Sequence, residues 1–220
     1  MALETAESLD GYRELCYKSE INRKAREKCS YTIWNDQSLA KKVKDEIDVD
    51  KKKTDDPLFD GVDVVVLHPT AEGGMPHTRS PSLICIPAYY SEVKLKQMLQ
   101  HEMIHISQRK QPSLWKTRAE MDGWKQVPWS VIPEQWLNRC RLNPDTVAAR
   151  FFAWEGRHVP LPLFIREDKP DLRETTVRWY DIAEGIVKSS VPTSFTKKYG
   201  DLGKSLLEHP YELYAYKAEH

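Results

Sequence analysis

From Ser91 to Gln111 the chain contains neither proline nor glycine, and apolar residues fall at Leu95, Met98, Leu99, Met103 and Ile106. Spacings of three and four residues predict a helix from Glu92 through Lys110, capped by Ser91, ended before Pro112 and buried around much of its circumference. Its middle reads His101-Glu102-Met103-Ile104-His105. Four residues turn an α-helix through about 400°, so the two imidazoles stand one turn apart on one face. From there both can reach one Zn²⁺ at about 2.0–2.1 Å. Glu102 stands about 100° round from His101, too far to ligate beside the histidines but able to reach water on the metal. The arrangement is that of zinc-assisted hydrolysis: the metal lowers the pKa of water and polarises a scissile carbonyl, and the carboxylate acts as general base. The bland alternative is a helix carrying two histidines by accident. With seven histidines in the chain, chance supplies this pattern with a probability of roughly 2%, so the metal reading is the stronger one.

Two histidines do not complete a site, because catalytic zinc takes three protein ligands and an open position. A third histidine six residues beyond His105 would fall at Gln111, and a common carboxylate spacing would fall near Trp124; neither ligates. The remaining candidates are Glu120, Asp122, Glu155, His158, His209 and Glu212. Glu212 lies in the first turn of a C-terminal helix that starts near Pro210, where free N–H groups favour a carboxylate. An ordinary first-turn glutamate has the same signature. Glu120 and Asp122 suit the polar face of a surface helix, and His158 suits a loop. His77 and Arg79 either bind a substrate carboxylate or carbonyl or order the loop before a strand. His209, Tyr211 and Tyr214 either serve a developing oxyanion or pack. Asn143 and Asp145 either orient a ligating histidine or cap the Asn143-Pro144-Asp145 turn.

The rest of the chain predicts an α+β domain behind a helical extension. Residues 1–60 are charge-dense, with helices expected over Glu4–Cys29 and Ser38–Ile47 and a solvated linker over Asp48–Pro57. That linker divides an N-terminal extension, 1–60, from a catalytic domain, 61–220. Val62–Leu67 and Leu83–Pro87 read as strands, the second at an edge or ending at Pro87, with the turn-rich stretch 71–81 between them. An edge strand there would pair an extended peptide by β-augmentation. Ser113–Gln126 reads as a helix, 127–145 as irregular, and Phe151–Trp154, Leu161–Ile165 and Thr175–Tyr180 as short strands.

Charge excludes some partners. Lys and Arg number 33, as do Asp and Glu, so there is no overall field for nucleic acid or an anionic membrane. No apolar run approaches the length of a membrane span, and the acidic N-terminus lacks the apolar core of a secretory signal. Cys16, Cys29, Cys85 and Cys140 are too scattered for a thiolate zinc site or a disulfide framework, and read as reduced thiols of a cytoplasmic or nuclear protein. The expected partner is a peptide or protein substrate.

Several short blocks carry a resemblance. Gly74-Met75-Pro76-His77-Thr78-Arg79 precedes a strand, His-Glu-x-x-His continues into Ile106-Ser107-Gln108-Arg109, and Arg141-Leu142-Asn143-Pro144-Asp145 and Glu208-His209-Pro210-Tyr211-Glu212 follow. In this order, across about residues 62–219, they resemble a family of zincin-like metallopeptidases known largely from large DNA virus genomes. The resemblance implies a zincin-like domain with a small, mainly antiparallel sheet over the active-site helix. It also implies one zinc per chain held by His101, His105 and Glu212, with Glu102 as general base. Two alternatives use the same ligands: a zincin-fold binding or structural protein whose zinc does no turnover, and a zinc hydrolase acting on a non-peptide amide.

Overall fold

The computed structural model describes residues 2–54, 56–202 and 207–219. Three short helices open the chain: α1 (Ala2–Asp10), α2 (Tyr12–Lys18) and α3 (Glu20–Arg26). The single helix expected over Glu4–Cys29 is broken twice. Gly11 takes the left-handed region at φ 56°, and Ser19 is extended and accepts the Asn22 N–H on its Oγ, starting a new helix.

Helix α4 (Gln37–Thr54) runs through most of the expected linker, and Asp55 of that run lies outside the described residues. One apolar residue per turn suffices here, because Leu39, Val43 and Ile47 are all buried. The charges beyond them pair along the helix, Lys41 with Asp45 and Lys53 with Asp50. Lys51, Lys52 and Lys53 then occupy the last turn, where cations suit the helix dipole.

The first sheet has three strands in the order β1 (Asp63–Leu67), β3 (Leu83–Pro87), β2 (His77–Arg79). β1 runs parallel to β3, and β2 antiparallel to it. β3 is therefore the central strand: of the two expectations, an edge strand and a strand ending at Pro87, the second holds, and the peptide-pairing edge expected at Leu83–Pro87 does not. The outer side of β1 is partly covered by residues 32–34, with Trp34 N donating to Val66 O and His68 N to Thr32 O. The edge on the other side is β2.

Helix α5 (Leu95–Lys110) lies against one face of this sheet beside α4. Val43, Ile47, Val66, Ile84, Ile86, Leu99 and Ile106 share that core, and each such side chain contributes about 1.5–3 kcal/mol when fully buried. The other face is covered by α1, whose Ala6 packs with Leu67, Leu83 and Cys85. Ser91 introduces a short 3₁₀ turn before α5 and makes no side-chain cap.

Helix α6 (Pro112–Met121) stops earlier than expected, because Gly123 turns the chain at φ 98° and residues Trp124–Gln126 form β4. A Cβ at Gly123 would also meet the Trp154 ring at 3.2 Å. After α7 (Glu134–Leu137) come β5 (Phe152–Trp154), β6 (His158–Phe164), β7 (Thr175–Asp181) and β8 (Ile186–Lys188), then α8 (Thr193–Tyr199) and α9 (Pro210–Glu219). Strands β4 to β8 form a second sheet, antiparallel throughout. Trp115, Trp124, Phe152, Trp154, Trp179, Phe195, Tyr211 and Tyr214 form an aromatic core that joins it to α6, α8 and α9. The architecture is α+β. Packing of α9 along α5 sets the geometry of the candidate site.

Candidate metal centre

On α5 the two histidines stand as helix geometry requires, with His101 Nε2 and His105 Nε2 3.1 Å apart. From α9, Glu212 Oε2 lies 3.5 Å from the first nitrogen and 3.6 Å from the second. Among the described residues these three form the one cluster of three or more side chains able to hold a metal ion. A tetrahedral ion with bonds of about 2.0–2.1 Å keeps its ligand atoms about 3.3–3.4 Å apart. The three observed separations bracket that value. The nitrogen–nitrogen–carboxylate set suits zinc but also other divalent transition metals.

Neighbouring side chains hold two of the three candidate ligands, His105 and Glu212, in register. Gln108, one turn beyond His105, accepts from His105 Nδ1 at 2.8 Å, which leaves Nε2 as the lone-pair nitrogen facing the triangle. Gln108 Nε2 in turn donates to Tyr211 O at 3.1 Å, tying α5 to α9 beside the ligand. Asn143 Nδ2 donates to Glu212 Oε1 at 2.7 Å, so the other oxygen, Oε2, turns to the histidines. The same amide group bonds Glu208, which Arg141 grips with two contacts of 2.7 Å. Of the two roles the sequence offers Asn143, the turn cap is present, its Oδ1 accepting the Asp145 N–H at 3.0 Å, while its amide group serves the Glu212 carboxylate rather than a histidine. Gln108 was missed, although its place three residues after a ligating histidine on the same helix was a readable signal.

Electrostatics favour a cation in the triangle. Burial disfavours charge on His101 and His105, but the Glu212 carboxylate outweighs it and raises both to about 9. Burial would raise Glu212, yet the two histidines hold it well below the usual carboxylate range. The metal-free cluster is a carboxylate that gathers protons onto imidazoles, and a divalent ion can take their place.

Glu102 is 3% exposed, and its Oε2 has no hydrogen-bond partner. Burial, then the negative charge of Asp145, raises its carboxyl well above the ordinary value. That is the sense expected of a carboxylate made more basic by its surroundings. A buried carboxylate oxygen without a partner is costly, and such atoms call for a functional or solvent explanation. A cavity of about 240 Å³ opens beside the triangle, lined by Arg26, Glu72, His77, His101, Asn143 and Glu212 among others.

The other candidates lie elsewhere. Glu120 is exposed and Asp122 is bound to Tyr214 and Lys198. Glu155 accepts from Ser194, and His158 sits near Asp181 on the second sheet. His209 donates from Nε2 to Ala149 O and accepts the Tyr211 N–H on Nδ1; burial depresses it to about 4, so it is a neutral cap on α9. Tyr214 is committed to Asp122, and Tyr211 packs against Phe152.

Arg79 is fully buried and bound to Glu7 and Asp10 of α1. It therefore orders the loop rather than meeting a ligand. His77 lines the cavity but spends both nitrogens, one on Tyr31 Oη at 2.8 Å and one on Met75 O at 3.1 Å. Helix α3 reaches the same cavity through Arg26, and α2 is tied to its wall. Arg26 of α3 pairs with Glu72, Tyr12 of α2 donates to Glu72 at 2.8 Å, and Asn22 bonds the backbone at Cys140 and Leu142. These contacts join residues 46–120 positions apart and leave no local pattern in the sequence.

Compared with family models, curated proteins and solved structures, the chain matches none. No helix among the described residues is long and apolar enough to cross a membrane.

Proposed function

We propose that this chain is a zinc-dependent peptide hydrolase of zincin-like architecture. The observation that carries the reading is the triangle of His101 Nε2, His105 Nε2 and Glu212 Oε2, with sides of 3.1, 3.5 and 3.6 Å. Support also comes from α5 lying under a small sheet whose antiparallel edge strand, β2, is in contact with it. The four cysteines are all free, which supports a reducing compartment, cytoplasmic or nuclear.

When bound, the ion supplies a Lewis acid and a water of lowered pKa. The chain supplies the rest. Gln108 fixes the tautomer of His105 and Asn143 aims Glu212. Glu102 takes the proton of the attacking water on its carboxylate and returns it to the departing amine nitrogen. Arg141 and Glu208 hold Asn143 in place from behind.

A zinc protein without turnover is the competing reading, and one observation favours it: the proposed base is almost wholly enclosed. Glu102→Gln separates the two. The variant should keep its fold and its zinc, yet hydrolyse an unstructured protein at least about a hundredfold more slowly than wild type. An undiminished rate would remove Glu102 from the mechanism. Zinc-loaded wild type that cleaves no unstructured substrate would favour the non-catalytic reading.

A further inference from the structure

The outward edge of β2 has no free backbone donor along its length. Alternate residues of a strand point their N–H and C=O groups to the same side, and here the outward positions are 76, 78 and 80. Pro76 has no N–H. Thr78 N donates to Asp145 Oδ1 at 2.6 Å, and Ser80 N to Asp10 Oδ2 at 3.1 Å. Thr78 O accepts from Arg109 at 3.1 Å, and Thr78 Oγ1 also bonds Asp145 at 2.7 Å.

Of the residues that occupy this edge, Asp145 belongs to the turn that steadies the metal triangle, whereas Asp10 belongs to α1 and Arg109 to α5. Asn143 bonds Glu212, Pro144 O accepts from Arg109 at 2.6 Å, and Asp145 N donates to its own Asn143 Oδ1 at 3.0 Å. Two cavities flank the turn. The one of about 240 Å³ lies on the metal side, and another of about 330 Å³ lies beside Gln108, Arg109, Lys116, Thr146 and Tyr211. Asp145 lines both. Beneath lies Glu102, enclosed and with one oxygen unpartnered.

We propose that residues 144–149, a turn leading into a short 3₁₀ helix, form an internal strap that holds one backbone donor of β2 in place of an extended peptide, and that an unstructured peptide must displace it, leaving Asn143 on Glu212, to reach the site. With the strap lifted, Thr78 N–H is freed to pair with a peptide carbonyl, while Thr78 O stays on Arg109 of α5, and the two cavities join along the strand. The occupant's identity, an extended peptide, rests on the hydrolase reading. Asp145 is the latch: it mimics the carbonyl that a peptide would offer to Thr78 N–H.

The test measures binding of a dye-labelled unstructured peptide to zinc-loaded protein carrying Glu102→Gln, so that nothing is cleaved. Adding Asp145→Ala removes the latch and should tighten binding about tenfold, the scale of one hydrogen bond to a charged group. Adding Asp145→Asn keeps an oxygen acceptor for Thr78 and should leave affinity within about twofold of the parent. Equal affinity in the Ala variant and its parent would overturn the strap. Should the Ala variant fail to fold, hydrogen exchange in the Glu102→Gln parent decides. Saturating peptide should strip protection from the amides of Asp145 and Thr146, which are now bonded back to Asn143. Unchanged protection would overturn the proposal. Zinc content and wild-type cleavage are measured separately. Cleavage with an unmoved strap defeats this inference alone, and peptide binding without cleavage defeats the hydrolase reading alone.

Discussion

Gln108 offers the sharpest test of how the metal triangle is held. Its side chain is buried with both partners: His105 is 0% exposed, Tyr211 5% and Gln108 itself 4%. Gln108→Leu keeps the volume close and removes two hydrogen bonds, one from His105 Nδ1 at 2.8 Å and one to Tyr211 O at 3.1 Å. Leaving a buried donor and a buried acceptor unpaired costs about 1–3 kcal/mol each, so the metal-free protein should lose about 2–6 kcal/mol of stability. The imidazole is also no longer held in the Nε2-ligating tautomer. Loss of such a partner lowers metal affinity about 10–100-fold, or about 1.4–2.7 kcal/mol. Gln108→Glu divides the two effects. A carboxylate still accepts from His105 Nδ1 but cannot donate to Tyr211 O, so stability should fall while zinc affinity stays within about threefold of wild type. Competition titration against a chromophoric chelator reads the affinity, and urea unfolding of the metal-free protein reads the stability. Zinc bound as tightly by the Leu variant as by wild type would refute the role of Gln108.

The pH dependence of metal binding follows from the histidine shifts. With His101 and His105 raised to about 9, zinc binding at pH 7.5 must displace protons, and apparent affinity should rise with pH up to about 9; calorimetry in two buffers of different ionisation enthalpy would contradict this by giving the same heat in both. Stability of the metal-free fold has the opposite sense: a histidine raised on folding adds stability that is complete below its ordinary 6.5 and is lost as pH rises through about 9, so wild type and His101→Ala should converge above that pH in urea titrations. Glu212→Ala should abolish zinc retention on a desalting column, whereas Glu120→Ala and Asp122→Ala should retain the metal, because neither side chain approaches the triangle; loss of zinc in the Glu120 variant would break the assignment. Arg79→Ala leaves Asp10, whose side chain is 2% exposed, without its buried partner, and should cost about 3–5 kcal/mol in urea unfolding with no direct effect on zinc geometry.

What could be read from the sequence was what depends on local geometry. The histidine pair and the place of Glu102 beside it follow from the pitch of one helix, and Leu99 and Ile106 mark its buried side without reference to any other element. Glu212 differs. Its first-turn position made it one candidate among six, and only the resemblance singled it out; the packing of α9 on α5 then brought its Oε2 within 3.6 Å of both imidazoles. Pro87 signals an edge strand or a strand end alike, and only the pairing of β3 on both sides decides for the strand end. The run Asp48–Thr54 has the low apolar content of a linker, yet paired charges continue a helix already anchored by Val43 and Ile47. The contacts of α1 to α3 with Arg79, Glu72 and Leu142 join distant positions, and no periodicity announces them.

The account stands or falls on where a metal binds. Anomalous diffraction at the zinc edge from a zinc-soaked crystal should give one strong peak per chain, about 2.0–2.2 Å from His101 Nε2, His105 Nε2 and one oxygen of Glu212. A peak held by any other set of side chains, or no peak between α5 and α9 in zinc-saturated crystals, would contradict it.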